Sequence, residues 1–206
     1  TNWMHYDAIA NYYNVKPWSE KFYKYLGSFI DHAVEHGMNM LYVPLYTPPL
    51  DTHIGGERLD VQLLEVYEDN GDYRIDYSRL DKFIDFALAH GIKYFEMCHM
   101  TTQWGAKAVP KIMAHTKDGY KRIFGWDTSS LSDEYKKFVT QMLTELDAYL
   151  KEKGINDSKY SEDEKCTLAT IPSATGKIIE KLLFKGGIDK KDILKVAVSK
   201  YVRKEY

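Results

Sequence analysis

A helix–glycine–strand unit that occurs twice constrains the fold more than any other feature. Residues 29–37 read FIDHAVEHG and residues 83–91 read FIDFALAHG, with Phe, Ile, Asp, Ala, His and Gly recurring at a constant offset of 54 residues. Each copy is followed by a nearly continuous apolar run, MNMLYVPLY (38–46) or IKYFEMCHM (92–100). Such runs are typical of parallel strands covered by helices on both faces. The alternation predicts an α/β fold.

Apolar residues at helical spacing predict three helices. The first ends at Gly37, the second starts with Ser78 as its N-cap and ends at Gly91, and the third covers about 132–153 before Gly154. Glycine suits these ends because it readily adopts the left-handed backbone conformation that terminates a helix. Parallel sheets carry their sites at the carboxyl ends of the strands, so the loops after residues 45 and 100 are where function is expected.

Two β-hairpins interrupt this pattern. Residues 63–77 place Asn70-Gly71 between alternating strands, and residues 112–124 place Asp118-Gly119 in the same role. Both dipeptides favour tight two-residue turns.

Composition excludes several classes of protein. The 206 residues are 44% hydrophobic, enough for one globular domain, and the net charge of −2 gives no electrostatic footprint for nucleic acid or membrane. No apolar run reaches the ~18 residues of a membrane span. Cys98 and Cys166 form no disulfide framework, and Cys98 is expected in the core. No signal peptide is visible, which favours the cytoplasm, although a chain that starts at Thr1 leaves a trimmed N-terminus open.

The chain changes character near residue 156. We therefore predict a main unit over 1–157 and a linker with a short basic helical tail over 158–206. Residues 174–206 hold nine Lys or Arg against four acidic residues. The tail fits two short helices, packed with their basic side in solvent or available to a partner.

Polar and aromatic residues gather in the loops where function is expected. Loops held by a rigid scaffold commonly carry binding residues, although a capped turn or a satisfied structural group explains each residue singly. The flat faces of tryptophan suit stacking on sugars, and the polar groups suit sugar hydroxyls. The candidate substrate-binding residues are His5, Asp51, Arg58, Glu96, His99, Gln103, Trp104, Trp126 and Asp127.

Other chemistries find little support. His53, His99 and a carboxylate offer metal-ligand types, but no H-x-H or H-E-x-x-H spacing is present, so no metal and no cofactor are expected. A G-x-S-x-G elbow and a Walker loop are also missing from the sequence.

Four segments resemble the N-terminal part of the catalytic domain of family 123 glycoside hydrolases and their uncharacterised bacterial relatives. They are NWMHYDAIANYYNV (2–15), TPPLDTHIGGERLDVQL (47–63), YFEMCHMTTQWGAKAVPKI (94–112) and FGWDT (124–128). The resemblance covers residues 1–157. It implies a (β/α)₈ barrel of the TIM type, here partial, with the two hairpins inserted.

The resemblance also implies an activity, the exo-hydrolysis of N-acetyl-β-galactosaminides. In the family's substrate-assisted retaining mechanism the acetamido group attacks the anomeric carbon. An adjacent Asp-Glu pair at the end of an apolar strand, followed by Pro, orients the acetamido group and supplies the general acid/base. Asp163 and Glu164 are the catalytic prediction, although Lys165 follows them. The alternative is a non-catalytic carbohydrate-binding or scaffold fragment of such an enzyme. In either case the tail or a second copy of the chain, as a homo-oligomer, is expected to cover the open strand edges of an incomplete barrel.

Overall fold

The computed structural model describes residues 4–50, 52–103 and 105–155, together with the backbone of 168–170. These residues form four helices and seven short strands. In chain order they are α1 (Tyr6–Tyr12), α2 (Glu20–Glu35), β1 (Met40–Val43), β2 (Glu65–Asp69), β3 (Asp72–Asp76), α3 (Ser78–Ala89), β4 (Tyr94–Met97), β5 (Ile112–Thr116), β6 (Gly119–Phe124), α4 (Asp133–Glu152) and β7 (Leu168–Thr170).

The repeated unit forms a parallel sheet, as predicted. Its strand order is β1-β4-β7, with β1 paired to β4 from Met40↔Tyr94 to Val43↔Met97. Helix α3 lies in the chain between β1 and β4, and α4 lies between β4 and β7. Gly37 and Gly91 end their helices with φ of 83° and 90°. The prediction of a mixed α/β fold is confirmed, while closure into a barrel stays a prediction.

The helix starts were predicted with mixed success. Helix α4 starts where it was predicted, and Ser132 caps it, because the Ser132 side chain accepts a hydrogen bond from the Tyr135 backbone N–H. The prediction that Ser78 caps α3 is wrong: the helix begins at Ser78 itself, and its backbone N–H donates to Asp76 Oδ1 at 2.8 Å. The Ser78 side chain bonds the same carboxylate and so faces Asp76 instead of capping the helix. The bond also lowers the pKa of Asp76.

Both hairpins are present. Asn70 and Gly71 adopt φ of 53° and 83°, as a tight turn between β2 and β3 requires. In the second hairpin Thr116 pairs with Gly119, so the turn lies at residues 117–118, one residue earlier than predicted. The two hairpins join into a four-stranded sheet of order β3-β2-β5-β6.

The core lies between the helices and the two sheets. Its largest fully buried side chains are Tyr6, Tyr42, Tyr46, Tyr135, Phe22, Phe83, Phe95, Phe138, Leu26, Ile30, Leu41 and Leu45. Cys98 is fully buried, as expected, and burial raises the pKa of its thiol to about 12. None of the helices among the described residues has the length and apolar character needed to cross a membrane. The helices predicted within 174–206 lie outside the described residues.

Candidate functional site

The carboxyl ends of β1 and β4 bring Tyr42, Glu96 and His99 together. Tyr42 and Glu96 are register partners on the two strands, and His99 lies two residues after β4 ends. The Tyr42 hydroxyl lies 2.9 Å from Nδ1 of His99 and accepts a hydrogen bond from the His99 backbone N–H at 3.1 Å. A single buried hydroxyl on one strand therefore fixes both the ring and the backbone at the end of the next.

The surroundings of His99 favour its neutral form. Burial lowers the pKa of the imidazole, and the nearby Glu96 carboxylate opposes that shift. Burial also raises the pKa of Tyr42 far above its ordinary value. At neutral pH the pair is thus a neutral imidazole against a neutral phenol. Such groups can donate to and accept from hydroxyls without adding a net charge.

A second cluster forms around Arg58, in the loop that follows β1. Its guanidinium makes a bidentate pair with Asp7 of α1, with Nε–Oδ2 of 2.8 Å and Nη2–Oδ1 of 2.6 Å. Nη1 donates to the Leu50 carbonyl oxygen, and Nη2 lies 2.6 Å from Nδ1 of His5. Because a guanidinium has only donors, Nδ1 of His5 must accept, which places the proton of the neutral ring on Nε2.

The two clusters are joined through Tyr6. Its hydroxyl donates to the Tyr42 backbone carbonyl at 2.5 Å, and the ring is 1% exposed. Tyr42 and Arg58 also line one hollow of about 260 Å³, open solvent included, with His5, Asp7 and Leu50. The polar groups of α1, the β1 loop and the β4 end therefore converge on one region.

A second hollow of the same size adjoins the first and shares Pro48 and Arg58 with it. Trp126 lines this hollow, with its indole N–H donating to the Gly56 carbonyl oxygen at 2.8 Å. Lys111 lines it too and donates to the Arg58 carbonyl oxygen.

In the loop after β4, Thr102 is buried and Gln103 is partly exposed. Thr102 is buried and bonds the Ala108 carbonyl oxygen through both its hydroxyl and its backbone N–H, which closes the loop. Gln103 is partly exposed beyond this closure. Thr102 therefore serves the fold, and Gln103 lies at the partly exposed side of the loop.

Asp127 lies at the periphery of the site. Its carboxylate is mostly exposed and pairs with Arg122 at 2.9 Å, and Arg122 in turn lies 3.7 Å from Glu57 of the second hollow. The structure thus brings His5, Arg58, Glu96, His99 and Trp126 towards one region and leaves Asp127 at its edge. The predicted residues Asp51, Trp104, Asp163 and Glu164 lie outside the described residues.

Sequence reasoning missed three residues that build the site: Asp7, Tyr42 and Lys111. Asp7 sits in α1, a helix of seven residues that was not predicted. Tyr42 is one of 17 tyrosines and stands inside an apolar run, so its pattern indicates only a core residue. The quoted segments 2–15 and 94–112 do contain Asp7 and Lys111, which is the one signal that could have found them.

The position of the predicted catalytic pair can be compared with β7 along the chain. Glu164 precedes Leu168, the first residue of β7, by four positions, so the pair comes before that strand in the sequence. The carboxyl end of β7 is Thr170, whose register partner is Glu96, and Ile171 and Pro172 follow in the sequence.

The fold and the converging polar groups define an α/β protein with a ligand site at the carboxyl edge of a parallel sheet. Comparison with models of protein families matches residues 3–197 to the catalytic domain of glycoside hydrolase family 123, and the chain belongs to that family. The match continues past residue 157, the predicted end of the resemblance. A search of the curated proteins finds no match. Family membership indicates glycoside hydrolase activity and a carbohydrate substrate.

Proposed function

We propose that the protein hydrolyses N-acetyl-β-hexosaminides of the β-galactosaminide type by a substrate-assisted retaining mechanism. Family membership supports the reaction class. The observation that supports the placement of the site is the convergence of His5, Arg58, Tyr42 and His99 near the carboxyl ends of β1 and β4. That edge is where barrel and open α/β proteins hold their substrates.

Each group has a role that its chemistry allows. His5 and His99 hydrogen-bond sugar hydroxyls, with His5 presenting a ring whose Nδ1 is already engaged by Arg58. Arg58 holds His5, Asp7 and the Leu50 carbonyl together and so keeps the β1 loop in place. Trp126 stacks on a sugar face, and Gln103 and Glu96 add polar contacts. Asp51 and Trp104 complete the binding set in this proposal, with Asp127 at its edge.

The catalytic pair in this proposal is Asp163 and Glu164. Asp163 orients the acetamido group of the substrate, whose oxygen attacks the anomeric carbon, and Glu164 protonates the departing glycosidic oxygen. Glu164 then takes a proton from a water molecule. The oxygen of that water attacks the anomeric carbon and so opens the cyclic intermediate. This route differs from the usual scheme of two enzymatic carboxylates because the nucleophile belongs to the substrate.

The scaffold proposed for this site is a partial (β/α) barrel. Strands β1, β4 and β7 are parallel and follow chain order, with helices between them, which is the connectivity of a barrel segment. A whole barrel takes about 250 residues. A second copy of the chain is one source of cover for the open strand edges, and we include a homo-oligomer in the proposal on that ground.

Hydrolysis of a chromogenic N-acetyl-β-galactosaminide tests the proposal. We expect the chain to release the chromophore and Glu164→Gln to lose the activity. The control is Glu134→Gln, which removes an equivalent carboxylate from the first turn of α4. Activity that survives in Glu164→Gln would refute the catalytic assignment, and equal loss in both variants would point to a general effect of charge.

One observation favours a second function, carbohydrate binding without catalysis. The family's pair ends an apolar strand and precedes Pro, whereas here Thr170 ends β7 and Ile171-Pro172 follow it. On this reading the carboxylates at that strand end are replaced, and the chain retains only the sugar site. Binding of N-acetylgalactosamine by calorimetry, combined with no hydrolysis in the wild-type chain, would establish this function and refute the first.

A further inference from the structure

The C-terminal turn of α2 carries a cluster of metal-ligand side chains that the proposed function does not use. His32, Glu35 and His36 each offer one ligand atom, and these atoms lie within 4.8 Å of one another. We propose that this cluster binds a divalent transition metal ion of the zinc type. The ion would hold the end of α2 and take no part in the chemistry of the sugar site.

The spacing places all three ligands on one side of the helix. Residues three and four apart are neighbours on a helical surface, so His36 stands one turn beyond His32, with Glu35 beside them. Read along the chain, residues 32–36 spell H-x-x-E-H, a spacing in which zinc proteins use two histidines one helical turn apart. This order differs from the H-x-H and H-E-x-x-H spacings, which the sequence lacks.

The geometry is close to that of a bound ion. The two imidazole rings have their centroids 4.4 Å apart and are inclined at 54°. Zn–N and Zn–O bonds of about 2.0–2.2 Å in a tetrahedral site separate the ligand atoms by roughly 3.4 Å. The side chains of His32 and Glu35 are 76% and 73% exposed, so rotation can close the remaining gap without moving the core.

One ring is already held in the state that metal ligation needs. Nδ1 of His36 lies 2.8 Å from the His32 backbone carbonyl oxygen, which can only accept a hydrogen bond. The proton is therefore on Nδ1, and Nε2 keeps its lone pair for a ligand. Metal-bound histidines commonly make this supporting bond to a backbone carbonyl. The carbonyl end of the helix also favours a positive charge.

The position in the fold argues for a stabilising ion. His36 is the C-cap of α2 and β1 starts at Met40, so the cluster lies at the amino-terminal edge of the parallel sheet. The sugar site follows the carboxyl ends of the same strands. The second copy of the repeated unit has Phe86 and Ala89 where the first has His32 and Glu35, so only the first copy offers all three ligands.

The test uses the full chain without a polyhistidine tag. Titration with Zn²⁺ by calorimetry should give one site, and Co²⁺ should develop visible absorption when it occupies that site. Losing a ligand should weaken binding at least as much as losing a ligand's supporting hydrogen bond, which typically costs about 10–100-fold. We therefore expect His32→Ala and His36→Ala each to lower Zn²⁺ affinity at least about tenfold.

The matched control is His53→Ala, which removes another exposed histidine and should leave Zn²⁺ affinity unchanged. Because the ion binds the folded state, Zn²⁺ should raise the melting temperature of the wild type and the control but not of His32→Ala. Absence of a Zn²⁺ site in the wild type would overturn the proposal. Equal Zn²⁺ affinity in the wild type, His32→Ala and His36→Ala would overturn it as well, since the ion would then bind elsewhere.

Discussion

The Tyr42 hydroxyl connects two strands of the site, and removing it should destabilise the protein more than an equivalent change nearby. Tyr42→Phe deletes the oxygen that accepts the His99 backbone N–H and bonds the His99 ring. A typical hydrogen bond contributes about 0.5–1.5 kcal/mol, and a buried group left without a partner costs about 1–3 kcal/mol. Since Tyr42 is 1% exposed, we expect a loss of about 2–3 kcal/mol.

Tyr46→Phe is the matched control. Tyr46 lies four residues along the same strand and loop and is fully buried, but its hydroxyl contacts the sulfur atoms of Met100 and Met142, which are weak acceptors. The same substitution should therefore cost less than about 1 kcal/mol there.

Urea unfolding measures both losses, provided that the dependence of the unfolding free energy on urea is unchanged between variants. The reasoning also predicts that His99 loses its fixed position in Tyr42→Phe, so that N-acetylgalactosamine affinity falls in this variant and not in Tyr46→Phe. Equal free energies of unfolding for Tyr42→Phe and Tyr46→Phe would refute the assignment of the strand-to-strand link to the Tyr42 hydroxyl.

Three further predictions concern protonation, charge and backbone conformation. Because burial lowers the pKa of His99, the unfolded chain binds more protons than the folded chain just below the ordinary histidine pKa of about 6.5, so the unfolding free energy should decrease as pH falls through this window. His99→Gln should reduce the slope of that decrease. An NMR titration that places the His99 pKa above 6.5 would contradict the predicted pH dependence. Arg58→Ala leaves the Asp7 carboxylate, whose side chain is 13% exposed, without its bidentate partner and should cost about 2–3 kcal/mol, somewhat less than a fully buried pair. In a double-mutant cycle with Asp7→Ala, the double variant should lose at least about 1 kcal/mol less stability than the sum of the two single losses. Additive losses would count against the ion pair. Gly71→Ala should cost about 1–2 kcal/mol in urea unfolding because Gly71 has φ of 83°, even though its Cβ would meet open space; unchanged stability would contradict this explanation.

Local signals predicted the elements that depend on neighbouring residues. Gly37 and Gly91 mark helix ends because the backbone there turns left-handed, and Asn70-Gly71 marks a hairpin for the same reason. Ser78 shows the limit of such signals: serine suits a cap, but both the backbone N–H and the side chain of Ser78 bond Asp76, and the helix begins at Ser78 itself.

The candidate site was predicted only in part. The loops that hold Arg58 and His99 were identified because they follow apolar runs, and the structure brings both towards one region. Their partners were not identified, because Asp7 is 51 residues from Arg58 in the chain and Tyr42 is 57 from His99. Spacing along the chain carries no information about such pairs.

By itself the sequence determined the helix–glycine–strand repeat, the mixed α/β class, the two hairpins and the family. Each of these depends on apolar periodicity, on turn residues or on the order of short segments that resemble the family. The tertiary structure alone decided that the two hairpins share one sheet and that Tyr42 supports His99. It also decided that Arg58 is held by Asp7 and His5. The physical reason is that strand pairing, burial and charge pairing join residues that are distant in the chain, so their partners exist only once the chain has folded.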